Sequence, residues 1–321
     1  MPVEQTTPNA IPKPWGMRDI RPWSGQALDG ETIGEIVFER ESESVANSSL
    51  CLKLLFAAEP LSIQVHPDDQ YAKTMGLTGG KSEAWYVVAA EPGARIGIGL
   101  TQHLNRSQLR RAIADGSIRD LLLWRSASAG ESYYIPAGTV HAIGAGLVIA
   151  EIQQRIDATF RLYDYGRGRE LHLDRGMAVA RAEPVRGLVE QCRLSGARRL
   201  LAAGAGFVFE RLDLPPASNW LLDTSNETWL LALSGAAAAG NLRLATGDAV
   251  FAADGTVHLR AGPKGLVALV GYARTEPYCH LLRTYSENGR DLEDDPNEDQ
   301  VMACYAGAMR AFMRQRRELA S

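Results

Sequence analysis

Four side chains in the first half of the chain have the types and the spacing to bind one divalent metal. Gln64 and His66 stand two positions apart, so strand alternation directs both to the same face. Glu83 opens a later strand-like run, and His141 follows a predicted tight turn. Together they would offer two imidazoles, a carboxylate and an amide oxygen. This set suits Zn²⁺ with room for water or substrate, although the donor types alone admit other divalent metals.

The sequence that precedes His141 follows the pattern G-x5-P-x-G-x2-H, with Gly130, Pro136 and Gly138 at its fixed positions. A strand enters, Pro-x-Gly makes a tight turn, and the histidine on the next strand points inward. This pattern resembles the second conserved motif of the cupins, small antiparallel barrels that often bind a metal inside. The resemblance implies a partner motif on opposite strands, for which the Gln-Val-His run at 64–66 is the candidate.

Five longer segments carry a more specific resemblance. They are KPWG (13–16), LSIQVHPDD (61–69), GKSEAWYV (80–87), IPAGTVHAI (135–143) and EIQQRIDATFRLYDYGR (151–167). In this order they resemble the type I phosphomannose isomerases (mannose-6-phosphate isomerases) in their short bacterial form, from about residue 12 to 182 and more weakly beyond. That family interconverts mannose 6-phosphate and fructose 6-phosphate. The resemblance therefore implies an aldose–ketose isomerase of carbohydrate metabolism with one Zn²⁺ per chain.

The resemblance also assigns roles to individual residues. The family's metal ligands, a Gln, a His, a Glu and a second His, fall on Gln64, His66, Glu83 and His141. The family's active-site Ser and Lys match Ser62 and Lys81, and its Glu and Arg ten positions apart match Glu151 and Arg161. Arg161 would meet the sugar phosphate or the developing enediolate, and Lys81 and Ser62 would help to place the phosphate.

The chemistry of aldose–ketose isomerisation explains this set of residues. One proton moves between C1 and C2 through a cis-enediolate, and a metal can polarise the two oxygens concerned. A general base must reach the C1 and C2 protons, and Glu151, Lys81 and a metal-bound water are the possible bases. The sequence does not choose among them. Asp157 and Tyr165 are candidates for supporting groups nearby.

Two other functions remain open at this point. The first is an isomerase of another phosphorylated or free sugar, because Ile156 stands where the family commonly has a small polar residue and pocket edges set substrate choice. The second is a non-catalytic, sugar-phosphate-binding cupin. The presence of Lys81, Glu151 and Arg161 beside the metal ligands disfavours it, because a binding module needs no proton-transfer groups.

The elements that position these residues are predicted to be strands. Short runs rich in β-branched and aromatic residues, bounded by Gly, Pro or Asn, dominate 31–154 and 207–273, and they favour an all-β fold. Helical patterns are expected in an insert at about 101–125, at 66–76 and 174–182, and in a terminal helix at 294–319 that has an acidic start and a basic end.

An internal similarity suggests a duplicated unit. GESYYIPAGTVHAIGAG (130–146) aligns with GDAVFAADGTVHLRAG (247–262), and upstream the Glu83-Ala-Trp run resembles the Glu227-Thr-Trp run. The simplest interpretation is two tandem cupin-like β-barrels (jelly roll), with the helical insert in the first. His258 takes the position of His141, yet no histidine precedes Glu227 at ligand spacing, so the second barrel is predicted to be structural.

The predicted domains are a catalytic barrel at 1–182 and, at 183–321, a connector (183–203), the degenerate second barrel and the C-terminal helix. A length of 321 residues suits roughly two domains. Four scattered cysteines without CxxC signal no disulfide framework, and unpaired thiols are expected.

The composition excludes several classes of partner. A net charge of −4 without a basic stripe argues against nucleic acid. No run approaches about eighteen apolar residues, and the first residues carry no signal-peptide pattern, so we expect a cytoplasmic protein without membrane contact. The expected partner is a small-molecule sugar phosphate, and the chain is expected to be a monomer or homodimer.

Overall fold

The all-β prediction is confirmed. The computed structural model describes residues 3–24, 30–41, 48–185, 190–204, 206–285 and 296–318, with side chains as far as residue 310. Within these residues, antiparallel strands make up about half of the structure, and the helices lie in an insert, in short connections and at the C-terminal end.

The strands fall in two groups along the chain. Those of the first half are β1 (Glu4–Met17), β2 (Ile33–Arg40), β3 (Leu50–Ala57), β4 (Ile63–Val65), β5 (Glu83–Ala90), β6 (Arg95–Leu100), β7 (Leu122–Ser126), β8 (Ser132–Ile135), β9 (His141–Ile143), β10 (Leu147–Gln154) and β11 (Phe160–Tyr163). Those of the second half are β12 (Cys192–Arg193), β13 (Arg198–Gly204), β14 (Phe207–Leu214), β15 (Asn219–Thr224), β16 (Thr228–Ala239), β17 (Leu242–Ala245), β18 (Ala249–Ala252), β19 (Gly255–Tyr272) and β20 (Leu282–Thr284).

The helices agree with the sequence prediction in place and order. They are α1 (Asp69–Thr74), α2 (Arg106–Ala114), α3 (Ile118–Leu121), α4 (Leu173–Val179) and α5 (Glu298–Glu318), with a 3₁₀ turn at Cys279–Leu281. In the insert, Asn105 and Gln108 form a capping box that begins α2. Gly116 then adopts a φ of 78° and separates α2 from α3. Among the described residues, no helix is both long enough and apolar enough to cross a membrane.

Two sheets enclose the interior of the first barrel. The larger sheet continues through the whole structure in the order β12-β13-β14-β19-β16-β18-β1-β2-β3-β10-β5-β8, with β15, β17 and β20 attached at its sides. The smaller sheet has the order β11-β4-β9-β6-β7. The two sheets face each other, so side chains on their inner faces meet in the middle of the barrel.

Alternation along β3 and β10 separates a polar face from an apolar one. Lys53 and Glu151 point into the first barrel, whereas Leu52, Leu54 and Ile152 lie on the opposite face in one core with the second barrel. Gly271 on β19 faces this core, and a Cβ there would lie 2.9 Å from the side chain of Ile152. The two barrels therefore pack sheet against sheet at close range, with no space for a larger residue at that point.

Strand β1 was not predicted, because prolines normally interrupt ladders. Its 14 residues include Pro8, Pro12 and Pro14, and the pairing with β2 shifts register at Pro12. Glu4 and Gln5 pair with β18 of the second barrel, while the residues from Thr6 onward pair with β2. One strand thus joins the two barrels within a single sheet.

The prediction of a connector at 183–203 is wrong in its last third. Residues 198–204 form β13, which pairs with β14 along its length. The arginines at the start of β13 made the strand hard to predict, because an arginine such as Arg198 is usually exposed. In the structure Arg198 is buried and forms an ion pair with Glu210 at 2.9 Å, and Tyr272 donates a hydrogen bond to the same carboxylate.

The expectation of unpaired thiols is wrong for two of the four cysteines. Cys192 on β12 and Cys304 on α5 form a disulfide with a Cα–Cα separation of 6.0 Å, whereas Cys51 and Cys279 are free and buried. A separation of 112 residues gives no local sequence signal for such a pair. The bond ties the terminal helix to the edge of the second barrel.

We expect the disulfide to stabilise the fold by constraining the unfolded chain. Cys304→Ser should lower the free energy of unfolding by about 2–5 kcal/mol, because a long loop loses its closure. Thermal unfolding measures the change, and wild-type protein in a reductant should match the variant. Thiol titration of the unreduced, unfolded wild type should find only Cys51 and Cys279. Four reactive thiols in that assay would contradict the pairing.

Candidate metal centre

Three short strands of the smaller sheet bring most of the predicted ligands together. Gln64 on β4 is the direct cross-strand partner of His141 on β9, and on its other side it pairs with Arg161 on β11. His66 follows β4 immediately. Glu83 comes from the larger sheet, as the first residue of β5. The cluster therefore spans the barrel interior from one sheet to the other.

The cluster is compact and closed to solvent. His66 Nε2 lies 3.2 Å from Glu83 Oε2, and His141 Nε2 lies 3.2 Å from Glu83 Oε1. The side chains of the three residues are each 1% exposed. One donor atom from each lies within 4.8 Å of the other two. Two imidazoles and a carboxylate at this spacing can share one ion.

Unpartnered polar atoms show what the cluster is suited to hold. His66 Nε2 and both carboxylate oxygens of Glu83 are buried, and within the described ranges none of them makes a hydrogen bond. The other ring nitrogens are engaged, since His66 Nδ1 lies 2.9 Å from the Ala158 carbonyl and His141 Nδ1 lies 2.8 Å from the Thr139 carbonyl. With each Nδ1–H donating, each Nε2 presents a lone pair to the cluster. These residues fit a divalent cation.

The protonation states also suit metal binding. Burial lowers the pKa of His66 to about 4 and lowers that of His141 as well, so both rings are neutral near pH 7. Burial by itself would raise the pKa of Glu83, but its interactions with His66 and with the positive charge of Lys81 outweigh burial, and the pKa falls below its usual range. Few protons have to leave the cluster when a cation binds.

Gln64 lies beside the cluster, and its amide nitrogen rather than its amide oxygen faces His141. Its Nε2 is 3.3 Å from His141 Nε2, and its Oε1 accepts a hydrogen bond from Ser62 Oγ at 3.2 Å. Rotation about the terminal torsion would exchange the two atoms and bring Oε1 to the cluster. Its assignment as a fourth ligand stays a prediction.

A cavity of about 680 Å³ lies above the cluster and reaches Gln64 and Lys81. Its charged walls consist of six basic and four acidic side chains: Lys13, Lys53, Lys81, Arg155, Arg161 and Arg169, with Glu35, Glu39, Glu151 and Asp157. Ser62 and Ile156 also contact it. Such a polar cavity suits a small, highly hydroxylated and charged molecule.

Glu151 is held at the wall of this cavity by the larger sheet. It is the cross-strand partner of Trp85 on β5 and of Lys53 on β3, and Trp85 Nε1 donates a hydrogen bond to its Oε2 at 3.0 Å. Burial raises the pKa of Glu151 to about 7, and the negative charge of Glu83 adds to the effect. The carboxyl group can therefore gain and lose a proton near neutral pH.

The other predicted site residues reach the same cavity. Lys81 is buried, with its Nζ 3.5 Å from Glu83 Oε2. Arg161 donates a hydrogen bond from Nη1 to the Glu170 carbonyl at 2.7 Å, and its Nε is buried without a partner. Asp157 lines the cavity, whereas Tyr165 lines a separate shallow groove beside Arg95.

Several cavity residues were missed by the sequence interpretation. Lys53, Gln153 and Arg155 all line the cavity. Alternation offers the signal that identifies two of them, because Gln153 and Arg155 lie two and four residues after Glu151 on the same strand face. Lys53 can be identified as a cavity residue only from the pairing of β3 with β10, which sets it opposite Glu151.

In the second barrel, the counterparts of Glu83 and His141 are Glu227 and His258, and they make different contacts. Glu227 accepts hydrogen bonds from the backbone N–H groups of Ser49 and Leu50 and from Trp229 Nε1. His258 is exposed, and its ring packs edge-on against Tyr285 at 5.3 Å. Among the described residues, no group of metal-binding side chains forms there. The arrangement fits a structural role.

Removal of one ligand tests the centre. We expect Glu83→Gln and His141→Ala to lower metal affinity by more than about 10- to 100-fold, the loss that even supporting substitutions cause. Metal content of purified protein by elemental analysis measures it, and circular dichroism checks the fold. His258→Ala is the matched control, because it changes the exposed copy of His141. Undiminished zinc in His141→Ala would contradict the assignment.

Comparison with known sequences identifies relatives of the chain. No protein-family model matches the chain. The mannose-6-phosphate isomerase of Streptococcus mutans is 42% identical over 203 residues, which cover 52% of the chain and 64% of that relative. Mannose-6-phosphate isomerase ManA of Bacillus subtilis is 40% identical over 138 residues, 40% of the chain and 43% of the relative. The chain therefore spans less than two thirds of the length of either relative.

Comparison with solved structures shows the fold. The mannose 6-phosphate isomerase of Bacillus subtilis superposes over 85% of the chain and 100% of its own length, with a TM-score of 0.74 and 23% identity. A zinc-bound mannose 6-phosphate isomerase covers 85% of the chain and 100% of its own, with a TM-score of 0.67 and 16% identity. The predicted resemblance to the type I phosphomannose isomerases is confirmed by the sequence relatives, and the chain has the fold of these two structures.

Proposed function

We propose that this chain is a zinc-dependent isomerase that interconverts mannose 6-phosphate and fructose 6-phosphate. The observation that carries the proposal is the cluster of His66, Glu83 and His141 directly beneath a cavity that also contains Glu151, a carboxyl group with a pKa of about 7. The names of the sequence relatives supply the substrate. The cavity supplies the polar walls that a sugar phosphate needs.

The reaction needs a base beside C1 and C2 and a stabiliser for the oxygen that becomes negative. His66, Glu83 and His141, with Gln64, would hold a zinc ion, which when bound supplies Lewis-acid polarisation of the substrate oxygens. The chain's own residues supply the rest. The substrate passes through a cis-enediolate, and the same proton that leaves C2 of the aldose returns to C1.

Glu151 is the base that the geometry favours over Lys81. The Trp85 N–H fixes Oε2 of its carboxylate, which leaves Oε1 to take the proton from C2 and return it to C1. Its pKa of about 7 lets it accept and release that proton with little cost near neutral pH. Lys81 already lies 3.5 Å from Glu83, so it is placed to hold an anionic oxygen rather than to abstract a proton.

Arg161 and Ser62 position the substrate beside this base. Arg161 keeps an unpartnered Nε beside the cavity while its Nη1 is anchored to a carbonyl, so the guanidinium is oriented before substrate binds. Ser62 lines the same cavity, and its Oγ donates a hydrogen bond to Gln64 Oε1. Both residues act at the level of the metal ligands, since Arg161 pairs directly with Gln64.

Zinc-loaded protein should convert mannose 6-phosphate to fructose 6-phosphate and leave free mannose unchanged. A coupled assay for fructose 6-phosphate measures the product, and the same protein stripped with a chelator is the control. Turnover of a different phosphorylated or free sugar would favour the alternative substrate suggested by Ile156 in the cavity wall. If zinc binds and no sugar of any kind is isomerised, the chain is not an isomerase.

Glu151→Gln should lower kcat by about 10²- to 10⁴-fold, the usual contribution of a positioned base. Because the base must be ionised, we expect wild-type kcat/KM to rise with pH through about 7 and then level off. The variant should lose this rise. Glu39→Gln is the matched control, since Glu39 lines the same cavity but is exposed. A variant as active as wild type would exclude Glu151 as the base.

A further inference from the structure

Arg155 is fixed in the cavity wall at the end of β10. Its backbone N–H continues the ladder to β3 by donating to the Ser49 carbonyl at 2.8 Å, and its Nε donates to the Leu50 carbonyl at 3.0 Å. Its guanidinium carbon lies 5.8 Å from the centre of the Trp229 ring, within the range of a cation–π contact. The charged group is thus held in place before any ligand binds.

The charge of Arg155 has no counterion within the described part of the chain. Lys13, Lys53, Lys81 and Arg169 each have a carboxylate oxygen within 3.9 Å. Arg155 and Arg161 have none. Of the three guanidinium nitrogens of Arg155, only Nε donates a hydrogen bond among the described residues, and Nη2 is buried without a partner.

The guanidinium of Arg155 is suited to receive an anion. Arg155 is half-buried in the cavity wall, and its buried Nη2–H group lacks the hydrogen bond that it would have in water. The planar fork of a guanidinium matches the oxygens of a phosphoryl group. A ligand phosphate in the cavity would supply both the anion and the missing hydrogen bond.

The two unpaired arginines stand at different levels of the barrel. Arg161 is level with the metal ligands, because it pairs with Gln64. Gln153 is the cross-strand partner of Glu83, and Arg155 lies two residues beyond it, about 7 Å along the strand. In an extended hexose phosphate, seven bonds of about 1.5 Å place phosphorus roughly 8–9 Å from C1. A substrate with C1 and C2 at the metal ligands therefore brings its phosphate towards Arg155.

We propose that Arg155 binds the terminal phosphoryl group of the substrate, while Arg161, Lys81 and Ser62 act near C1 and C2. The proposal rests on the isomerase function above and names the part of the cavity that selects phosphorylated over free sugars. It differs from the sequence-based assignment. There, Lys81 and Ser62 were expected to bind the phosphate, and Arg161 was expected to contact either the phosphate or the enediolate.

Calorimetric titration of the zinc-loaded protein tests the subsite directly. We expect Arg155→Gln to weaken binding of mannose 6-phosphate by about 10- to 100-fold, the usual effect of losing hydrogen bonds to a charged group. Binding of free mannose should be unchanged, and inorganic phosphate should no longer compete. Arg95→Gln is the matched control, because it removes one positive charge from the same barrel outside the cavity.

Arg155→Lys covers the case in which Arg155→Gln fails to fold, as judged by circular dichroism and zinc content. The lysine keeps the charge but lacks the planar fork, so it should lose several-fold of the sugar-phosphate affinity and none of the affinity for mannose. Unchanged affinity for mannose 6-phosphate in a folded Arg155 variant overturns the subsite. So does equal weakening for mannose and mannose 6-phosphate.

Turnover measured on the same preparations separates the two proposals. If wild-type protein isomerises no sugar, yet binds mannose 6-phosphate through Arg155, the isomerase function fails and the phosphate subsite stands. If wild-type protein isomerises mannose 6-phosphate and Arg155→Gln binds it equally well, the subsite fails and the function stands. A wild-type protein that binds inorganic phosphate no better than Arg155→Gln also overturns the subsite.

Discussion

The buried carboxylate of Glu83 is the constraint on which the candidate site depends. Its oxygens face His66 and His141 at 3.2 Å, yet neither oxygen makes a hydrogen bond to any residue that the structure describes, and both rings are held neutral by burial. Burial alone would disfavour this charge, but Lys81 at 3.5 Å and the interactions with the two rings outweigh burial and lower the pKa of Glu83. The carboxylate oxygens and the ring nitrogens that face them are donor atoms to which a divalent cation would bind.

Pairing within the larger sheet places further polar side chains around this carboxylate. Strand pairing sets Gln153 opposite Glu83, and it sets Glu151 opposite Trp85 and Lys53. Because side chains alternate, the same strands present polar groups to the cavity and leucine or isoleucine to the second barrel. The second barrel therefore supports the first, since it buries the apolar face that would otherwise be exposed. The charge of Glu83 also raises the pKa of Glu151, so the candidate metal cluster and the proposed base are electrostatically linked.

Local patterns predicted the elements that depend on local physics. The Pro-x-Gly turn before His141, the alternation of Gln64 and His66 and the capped insert helix all follow from neighbouring residues, and the structure contains each of them. What escaped prediction depends on distant partners. The role of Arg155 is set by the Ser49–Leu50 segment and by Trp229, none of which is near it in sequence. The Cys192–Cys304 bond was missed for the same reason, whereas β1 was missed because of its prolines.

The two copies of the Glu-x-Trp run show how a duplicated barrel divides its tasks. In the first copy the tryptophan N–H binds Glu151, and the carboxylate of Glu83 receives no hydrogen bond from the described residues, so its oxygens are free to bind a cation. In the second copy the Trp229 N–H binds Glu227, and backbone N–H groups at the start of β3 complete the shell of that carboxylate. A carboxylate with its donors satisfied has no need of a metal. The same segment of β3 also accepts the hydrogen bond that orients Arg155. Glu227 thus anchors the start of β3, where the Leu50 carbonyl accepts the hydrogen bond from Arg155.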